Sequence, residues 1–527
     1  MIKRLYNISV VALIALFALS CSTKNYEPEP IWENAVIVAY ANLGELHTKS
    51  HIAAFDLTSR IAELDDQDKA TAELLLSILK DPTTSGIAID KPAYIAINDC
   101  DSEFTPTDML IALEVCDASL LDATLKSLDN DFDSNCVTLK GDKRIITLDN
   151  NLAFGYDNER LVLLQQGAAD LTESIAQQLD YAPADVSRFA EQDAAIYLDI
   201  DRLFAVALNN LPQDNEDDME AIEEMQSLYS DYFNTEASAT MGLRFDNGAI
   251  TISSNCEGLS ESVTAQLKSA NGDHLNLLEA SPIALLYMGV SGETIAETLN
   301  TAISAMLSDD DAIGANNEIN IYKNIALGVV ASIEGDLMLA LTDANGKLVE
   351  DIFGDKNLVF TTANALFTAD VKDNYIMDNV KTYGAGLLSK GRDNSYSINA
   401  FGNKINIGQC DDTFFVGVNN NATKKSPSAA NEAWAESVPG CYSYAMIDFN
   451  RLFSSNFGKA LLTTIYNNVP QGDLSNTTKL VIENLDRFYI LTNGTEQSIS
   501  SELKLTLKNR ETNALEQIVH VAHSAVK

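Results

Sequence analysis

Two copies of one polar motif are the first place in this sequence where chemistry could be expected. The run Asp199-Ile-Asp-Arg-Leu-Phe204 returns as Asp448-Phe-Asn-Arg-Leu-Phe453, displaced by 448 − 199 = 249 residues. Carboxylates or amides beside an arginine could bind a ligand or a metal ion. Asp201 and Asn450, however, stand where a strand pattern turns into a helix pattern, and such residues are preferred helix N-caps because their side-chain oxygens accept hydrogen bonds from the first turn. We therefore predict that both residues cap helices, and that alanine at either position costs about 1 kcal/mol of stability.

The acidic run near residue 130 is incomplete as a calcium site. Asp129, Asp131 and Asp133 have the alternate spacing of a calcium loop, but Ser134 stands where the loop needs glycine and Lys140 where it needs glutamate. This mismatch favours a solvated acidic turn.

Histidine and serine patterns are incomplete as well. His47 and His51 are spaced i, i+4, which would place both side chains on one helical face, but no third metal ligand accompanies them. Ser291, in Gly289-Val-Ser291-Gly292, lacks the second glycine of a nucleophile elbow because Glu293 occupies its place. We predict no catalytic residue, no metal site and no cofactor.

The charge of the chain excludes one class of partner. Acidic residues outnumber basic ones by 76 to 35, which gives a formal net charge of −41 at pH 7. Nucleic-acid binding depends on clustered Lys and Arg that release counterions from phosphate, so we expect no nucleic-acid partner. With 527 residues and 46% hydrophobic residues, the chain is long enough for two or more globular domains.

The N-terminal residues indicate export and a lipid anchor. Two basic residues precede an uncharged apolar run over residues 8–19, and Ala18-Leu19-Ser20-Cys21 places small residues before a cysteine. This order of segments resembles a bacterial lipoprotein signal. The apolar run is too short for a permanent membrane span, which favours cleavage and export. We expect residues 1–20 to be removed, Cys21 to be lipidated, and residues 21–30 to form a flexible tether. The membrane is then a partner through this anchor, and the tether does not specify which face of the membrane the protein occupies.

Beyond the tether, the sequence contains an internal repeat. Gly44-Glu45, after an apolar run, recurs as Gly292-Glu293 at an offset of 292 − 44 = 248, and Asn247-Gly248 recurs as Asn493-Gly494 at 493 − 247 = 246. The matching motifs occur in the same order in both halves and are separated by nearly the same number of residues, which indicates an internal duplication. We predict two tandem duplicated domains, at residues 31–270 and 281–527.

The first copy carries an acidic insertion. Asn209-Asn-Leu-Pro-Gln213 matches Asn467-Asn-Val-Pro-Gln471 at an offset of 467 − 209 = 258, whereas the next matching pair has the offset 246. The first copy therefore holds 258 − 246 = 12 additional residues in this interval, which contains an acidic run over residues 214–224.

Both copies alternate short strands with amphipathic helices. Each ends in a hairpin that Asn-Gly marks as a type I′ turn, and a helix is predicted after each hairpin, at residues 261–268 and 515–525. Because hairpins outnumber strand-helix-strand units, the predicted fold class is α+β, with largely antiparallel sheets and packed helices.

Taken together, these features resemble a known family. The lipoprotein-like N terminus, the strand that ends in Tyr40 before a helix, the repeated Asp-x-Asp/Asn-Arg-Leu-Phe run and the tail Glu511-Thr-Asn-Ala-Leu515 are similar to large Bacteroidetes lipoproteins known only as a domain of unknown function. The resemblance covers most of the mature chain. It implies an uncharacterised outer-membrane lipoprotein and brings no catalytic residues with it.

Cysteines and tryptophans add little to this interpretation. An even number of cysteines remains after Cys21, which permits disulfides in an exported protein, above all among the first three. These cysteines are Cys100, Cys116, Cys136, Cys256, Cys410 and Cys441. Trp32 and Trp434 stand singly in polar surroundings, which disfavours an aromatic platform for sugars.

Two functional hypotheses follow. The first is a non-enzymatic envelope protein that binds or interacts with a protein or glycan partner. The alternative is an exported hydrolase or glycan-processing lipoprotein. A cleft with converging titratable groups would separate the two hypotheses.

Overall fold

The computed structural model describes most of the chain between Ala35 and Val526. The described residues are 35–54, 72–73, 76–78, 80–100, 106–128, 137–148, 151–167, 170–181, 187–189, 191–209, 216–265, 267–308, 317–350, 356–384, 386–391, 394–400, 402–420, 429–468 and 473–526. The expected signal peptide, Cys21, the tether and the incomplete calcium loop at Asp129 to Asp133 lie outside them.

The chain divides into two compact units. Unit 1 comprises the described residues of Met1–Ser230, Asn234–Gly258 and Glu511–His523, and unit 2 those of Asp231–Phe233, Leu259–Arg510 and Ser524–Lys527. Unit 1 thus includes residues 511–523, which the repeat offsets placed with the second copy.

Antiparallel strands build unit 1. The strands that lie wholly or mainly in it are β1 (Ile37–Asn42), β2 (Pro92–Cys100), β3 (Pro106–Glu114), β4 (Val137–Lys140), β5 (Lys143–Thr147), β6 (Leu152–Tyr156), β7 (Arg160–Gln166), β8 (Ala194–Asp199), β9 (Phe233–Asp246) and β10 (Ala249–Leu259). Their pairings give the order β4-β5-β6-β7-β3-β2-β1-β8-β9-β10.

Unit 2 pairs its strands in the same order. Its strands are β11 (Leu267–Lys268), β12 (Ala284–Ser291), β13 (Ile333–Glu350), β14 (Lys356–Val371), β15 (Ser389–Lys390), β16 (Ser395–Ala400), β17 (Asn403–Cys410), β18 (Thr413–Val418), β19 (Ser443–Asp448), β20 (Leu485–Gly494) and β21 (Ser498–Leu507). The order is β15-β16-β17-β18-β14-β13-β12-β19-β20-β21, and β11 also pairs with β12. The common origin of the two halves stays a prediction.

Helices accompany the strands of both units. They are α1 (Leu43–Ser50), α2 (Ala118–Leu128), α3 (Leu171–Asp180), α4 (Ile200–Asn209), α5 (Glu216–Tyr232), α6 (Glu261–Thr264), α7 (Gly292–Ser308), α8 (Asn317–Ala331), α9 (Tyr375–Tyr383), α10 (Phe449–Ser454), α11 (Asn456–Asn468), α12 (Asp473–Asn484) and α13 (Ala514–Val526). The predicted α+β class with antiparallel sheets is confirmed. Within the described residues, no helix combines the length and apolar character needed to cross a membrane.

Each unit buries apolar clusters on both faces of its strands. In unit 1, α3 presents Leu171, Ile175 and Leu179 at i, i+4 and i+8, which is one helical face, and these side chains join Leu110 of β3 in a buried cluster. The neighbouring Met109 of β3 points to the opposite face and belongs to a second cluster.

Unit 2 has the same arrangement. One cluster includes Tyr287 of β12, Met338 of β13 and Phe415 of β18, and a second, on the opposite face, includes Phe414 of β18.

The repeated Gly-Glu pair marks a close backbone approach. A Cβ atom on Gly44 would lie 2.9 Å from the carbonyl oxygen of Ile89, and one on Gly292 would lie 2.1 Å from that of Val330 and 2.2 Å from that of Ile333. In both units the first helix therefore packs directly on the chain that leads into the next strand, and only glycine leaves room for this contact.

Neither Asn-Gly pair forms the predicted type I′ turn. Asn247 and Gly248 do connect β9 to β10, but only Gly248 has a positive φ, of 63°, whereas a type I′ turn needs a positive φ at both central residues. Asn493 and Gly494 instead pair within the β20–β21 ladder, and the turn follows at residues 495–497. Gly494 is needed for a different reason, because a Cβ there would lie 2.4 Å from Cε2 of Tyr442.

The segment after the first hairpin also differs from the prediction. The helix expected over residues 261–268 is the four-residue α6, because Leu267 and Lys268 pair with Val290 and Gly289 of β12. The C-terminal helix, expected over residues 515–525, is confirmed as α13.

Contacts of Asn513 explain why the C-terminal segment belongs to unit 1. Its Nδ2 donates to the carbonyl oxygen of Phe245 at 2.9 Å, and its Oδ1 accepts from the N–H of Leu515 at 2.9 Å at the start of α13. The N–H of Gly248 donates to the carbonyl oxygen of Thr512 at 2.9 Å. The hairpin turn of unit 1 and the start of α13 are thereby bonded to each other.

The close approach at Gly292 makes a testable prediction for stability. We expect Gly292→Ala to lower the free energy of unfolding by about 2 kcal/mol or more, because two carbonyl oxygens must move to admit the methyl group. Urea unfolding, followed by the fluorescence of Trp434, measures the free energy of unfolding. Glu297→Ala, on the exposed face of the same helix, should change stability by less than about 0.5 kcal/mol. Equal stabilities of the two variants would contradict the packing argument.

Candidate functional site

The repeated polar motif lies at a strand-to-helix junction in each unit, but its caps are not the residues predicted. The helix N-caps are Asp199, which accepts from the N–H of Arg202 at 3.0 Å, and Asp448, which accepts from the N–H of Arg451 at 2.9 Å. The prediction that Asp201 and Asn450 are the caps is therefore wrong. The physical reason is that each helix starts directly after its strand, so the cap is the last strand residue.

Asp201 serves instead as an acceptor for a distant part of unit 1. Its carboxylate accepts hydrogen bonds from the hydroxyl of Tyr229 and from the N–H groups of Glu236 and Ala237, the last at 3.2 Å. Burial and the bond to Asp201 raise the pKa of Tyr229 well above its ordinary value, so the hydroxyl remains a donor. Asp201 thus connects α4 to α5 and to the start of β9.

Asn450 makes the analogous connection in unit 2. Its Nδ2 donates to Asp486 at the start of β20, and the same carboxylate accepts from Thr506 Oγ1 at 3.1 Å and from Arg510. Both copies of the motif therefore use their third residue to attach the helix to the strand that begins the closing hairpin. The carboxylate of Asp201 and the amide of Asn450 are thus engaged within their own units.

A buried polar network in unit 2 was not predicted from the sequence. Asp336 is 1% exposed, and its carboxylate accepts from the N–H of Asn271 at 2.9 Å, from that of Gly272 at 3.0 Å and from the hydroxyl of Tyr287. Burial and this bond raise the pKa of Tyr287 far above its ordinary value. The carboxylate therefore attaches the segment before the 3-10 helix Asp273–Leu277 to the sheet.

His274 extends this network. Its Nε2 lies 2.9 Å from Oδ1 of Asp370, and its Nδ1 lies 2.8 Å from the Oγ1 of Thr368. The other oxygen of Asp370 accepts from the N–H of Asp336 at 3.0 Å. Thr368 and Asp370 alternate along β14, which places both on the face where His274 lies.

A carboxylate, an imidazole and a hydroxyl are connected here in the order of a nucleophilic triad. In a triad the hydroxyl must be accessible to the substrate, but here the hydroxyl is the most buried of the three groups. Thr368 is 0% exposed, the side chain of His274 is 4% exposed and that of Asp370 is 25% exposed. A substrate could reach the carboxylate and not the hydroxyl. The arrangement is therefore suited to holding a segment in place and not to nucleophilic attack.

Family membership follows from a match to a family model over most of the chain. The model of a family described as "Domain of unknown function (DUF4836)" matches residues 29–515. The chain belongs to this family. The match takes in both units, with both copies of the polar motif and the buried network of unit 2.

Other comparisons add no function to the family. None of the curated proteins matches the chain. Among solved structures, "Structure of crystal form IV of TP0453" is similar over 46% of this chain and 83% of that chain, at 9% identity and a TM-score of 0.21. "Structure of crystal form I of TP0453" is similar over 44% and 79%, at 11% identity and a TM-score of 0.22. At these TM-scores neither likeness carries a conclusion.

The two histidines of the predicted helical pair do not share a face. α1 ends at Ser50, and His51 is its C-cap with φ 48°, so its side chain leaves the helix direction. Nδ1 of His51 lies 3.1 Å from the carboxylate of Glu516. Among the described residues, no group of three or more His, Cys, Asp and Glu side chains could hold a metal ion.

Ser291 and Trp434 have structural surroundings. Ser291 is 8% exposed, and its Oγ lies 3.1 Å from that of Thr294 in the first turn of α7. Trp434, expected in a polar linker, is 7% exposed and stacks on Tyr444 with ring centroids 6.0 Å apart. Its Nε1 donates to Glu432 at 2.7 Å. Trp32 lies outside the described residues.

The described cysteines follow no disulfide pattern. Cys116, one of the three nearest in sequence, is an exposed free thiol, as is Cys410, whereas Cys256 is half-buried and Cys441 buried. Burial raises the pKa of the Cys441 thiol to about 11, which keeps it protonated and unreactive at neutral pH. Cys100 is buried, and Cys136 lies outside the described residues.

The corrected roles of the motif residues predict unequal effects on stability. Asp199→Ala removes one cap and should cost about 1 kcal/mol. Asp201→Ala leaves the Tyr229 hydroxyl and two N–H groups without their acceptor, so we expect a larger loss, about 2 to 3 kcal/mol. Urea unfolding of both variants and of Tyr229→Phe, which removes one of the three donors, tests the order. A cost for Asp199→Ala above that for Asp201→Ala would contradict these assignments.

The His274–Asp370 pair predicts an acid-dependent contribution to stability. Burial disfavours the charged form of Asp370, but the hydrogen bond and attraction of His274, with donors on Asp336 and Thr413, outweigh burial and hold the pKa of Asp370 below its ordinary value. A carboxyl with a lowered folded pKa stabilises the fold above its unfolded pKa of ~3.9, and this contribution is lost as the pH falls through the lower folded value.

Comparison with Asp370→Asn isolates this contribution. Below about pH 4 the wild-type free energy of unfolding should fall more steeply than that of the variant, because only the wild type loses the ionised Asp370. Urea titrations at a series of pH values, followed by Trp434 fluorescence, measure both slopes. Parallel curves for the two proteins would rule out the lowered pKa.

Proposed function

We propose that this chain is a Bacteroidetes lipoprotein that is anchored in the outer membrane through lipidated Cys21 and acts as a non-enzymatic binding or interaction module. The observation that carries the anchor is the N-terminal pattern of basic residues, a short apolar run and small residues before a cysteine. Membership of a domain-of-unknown-function family is consistent with a role other than a known enzyme activity.

Several contacts support the module over the hydrolase. Both copies of the polar motif are engaged in attaching helices to strands. The one carboxylate-imidazole-hydroxyl series in the described residues has its hydroxyl 0% exposed at Thr368. The strongly acidic composition favours partners that carry positive charge and disfavours nucleic acid.

The anchor is tested by Cys21→Ala. Acyl chains bind membranes with ~0.8 kcal/mol for each buried CH₂, so the variant that lacks them should be exported and recovered in the soluble fraction. Fractionation of cells with a carbonate wash, followed by immunoblotting, measures the distribution. Cys116→Ala, which removes an exposed thiol in unit 1, is the matched control and should stay with the membranes. A Cys21→Ala protein that resists the carbonate wash would refute the anchor.

A further inference from the structure

Helix α5 differs in sequence from its counterpart in unit 2. It runs from Glu216 to Tyr232 and carries most of the acidic run that was predicted to be an insertion. Its counterpart is α12, which also precedes the closing hairpin and runs from Asp473 to Asn484. The predicted insertion of 12 residues is wrong, because Asp199 pairs with Ser238 and Asp448 with Arg487, and both spacings are 238 − 199 = 487 − 448 = 39 residues. What distinguishes α5 is therefore the residues it carries.

Contacts of two residues determine which side of α5 faces inward. Tyr229 stacks on Phe204 of α4 with ring centroids 4.1 Å apart and planes 11° apart, and its hydroxyl donates to Asp201. Ile222, two helical turns earlier, is 8% exposed. Residues seven apart lie on one face of a helix, so Ile222 and Tyr229 define the buried side.

Beside that buried side, α5 leaves apolar side chains exposed. Met225 is 38% exposed and Leu228 is 56% exposed. Met225 is three residues from both Ile222 and Leu228, which makes these side chains neighbours on the helix surface. The apolar face is therefore wider than the part that unit 1 covers, and single exposed apolar residues elsewhere on a surface would not form such a stripe.

The charged residues of α5 are all acidic. Glu224 and Asp231, four residues before and three residues after Leu228, are exposed neighbours of the stripe, and the helix contains no Lys or Arg between residues 216 and 232. A partner that covers Met225 and Leu228 would have to place its own rim beside these carboxylates. Like charges across an interface are costly, so the rim of the partner must carry Lys or Arg.

We propose that Met225 and Leu228 of α5, with Glu224 and Asp231 at their edge, form a docking surface for a basic amphipathic segment of another protein. Apolar side chains of that segment cover the stripe, and its flanking cations meet the carboxylates. The proposal rests on the proposed role as an interaction module and names the chemistry of the partner. A second copy of this chain, with its own charge of −41, and an anionic membrane surface lack the required charge.

The described part of α12 offers no equivalent surface. α12 carries Lys479, whose Nζ lies 3.8 Å from the carboxylate of Glu483, and Val481 is its exposed large apolar side chain among those described. Mixed charge and a single apolar residue do not make an acidic-rimmed stripe. Binding should therefore involve α5 and not α12.

The experiment uses the mature chain with Cys21→Ala, which needs no detergent. The probe is a fluorescein-labelled Lys/Leu peptide of about five helical turns with its leucines on one face. Its reference has the same composition in an order that spreads the leucines around the helix. Fluorescence anisotropy gives the dissociation constants. Leu228→Ser removes the centre of the stripe, and Leu387→Ser, at a residue 72% exposed in unit 2, is the matched control.

We expect the amphipathic probe to bind more tightly than the reference, Leu228→Ser to weaken binding about tenfold or more and Leu387→Ser to leave it unchanged. Glu224→Gln with Asp231→Asn should weaken binding and reduce its dependence on salt. Equal binding of probe and reference would mean attraction by net charge alone and overturn the proposal, as would unchanged binding by Leu228→Ser with an unchanged melting temperature.

Two other occupants of the stripe are separate outcomes. Light scattering that shows a dimer abolished by Leu228→Ser would assign the surface to a second copy and overturn the proposal. Flotation with zwitterionic lipid vesicles that is lost in Leu228→Ser would assign it to a membrane, with the same consequence. Because the soluble chain carries no lipid, a failure here is distinct from a failure of the Cys21 anchor, which the fractionation experiment measures.

Discussion

Hydrogen bonds to carboxylates that folding buries shape the interior of both units. An ionised buried carboxylate without hydrogen bonds is strongly unfavourable, so each one needs donors. Backbone N–H groups and tyrosine hydroxyls take this role for Asp201 and Asp336. Because those N–H groups belong to loops and strand ends, each carboxylate also attaches a distant part of the chain.

Other buried carboxylates stand at positions that differ between the two units. In unit 1, Asp193 is 2% exposed and accepts from the N–H of Phe245 at 2.7 Å and from Lys49 at 2.6 Å. In unit 2, Asp336 and Asp370 hold the segment that contains His274. The strand order and the attachments made by the repeated motif are shared, whereas these further attachments are described in one unit each. Shared topology therefore does not imply a shared site.

This distribution bears on function. Polar groups that could do chemistry are engaged in attaching loops and helices, and the exposed end of the His274 network is a carboxylate and not a nucleophile. The helix before the closing hairpin differs between the units, and in unit 1 it is α5, held by Tyr229 and Asp201 and carrying an apolar stripe beside carboxylates. The repeated motif thus acts in unit 1 through the helix that it positions. Differences between the units, more than their common features, indicate where a partner would bind.

The sequence by itself determined the strands, the α+β class and the positions of the repeated glycines, because alternation of apolar residues and the need for glycine at a close approach are local properties. Local patterns did not locate the helix caps, since a shift of two residues along the Asp-x-Asp/Asn-Arg run leaves the pattern equally acceptable. They also did not reveal that Asn493 and Gly494 lie within a ladder.

Only the tertiary structure decided which polar residues meet. His274 and Asp370 are 370 − 274 = 96 residues apart, and Asp201 accepts from N–H groups 35 and 36 residues away. Backbone donors have no signature in the sequence, because every residue except proline carries one. The partner of a buried carboxylate in this chain is therefore set by the path of the backbone, which long-range strand pairing defines, and not by the type of residue that supplies the donor.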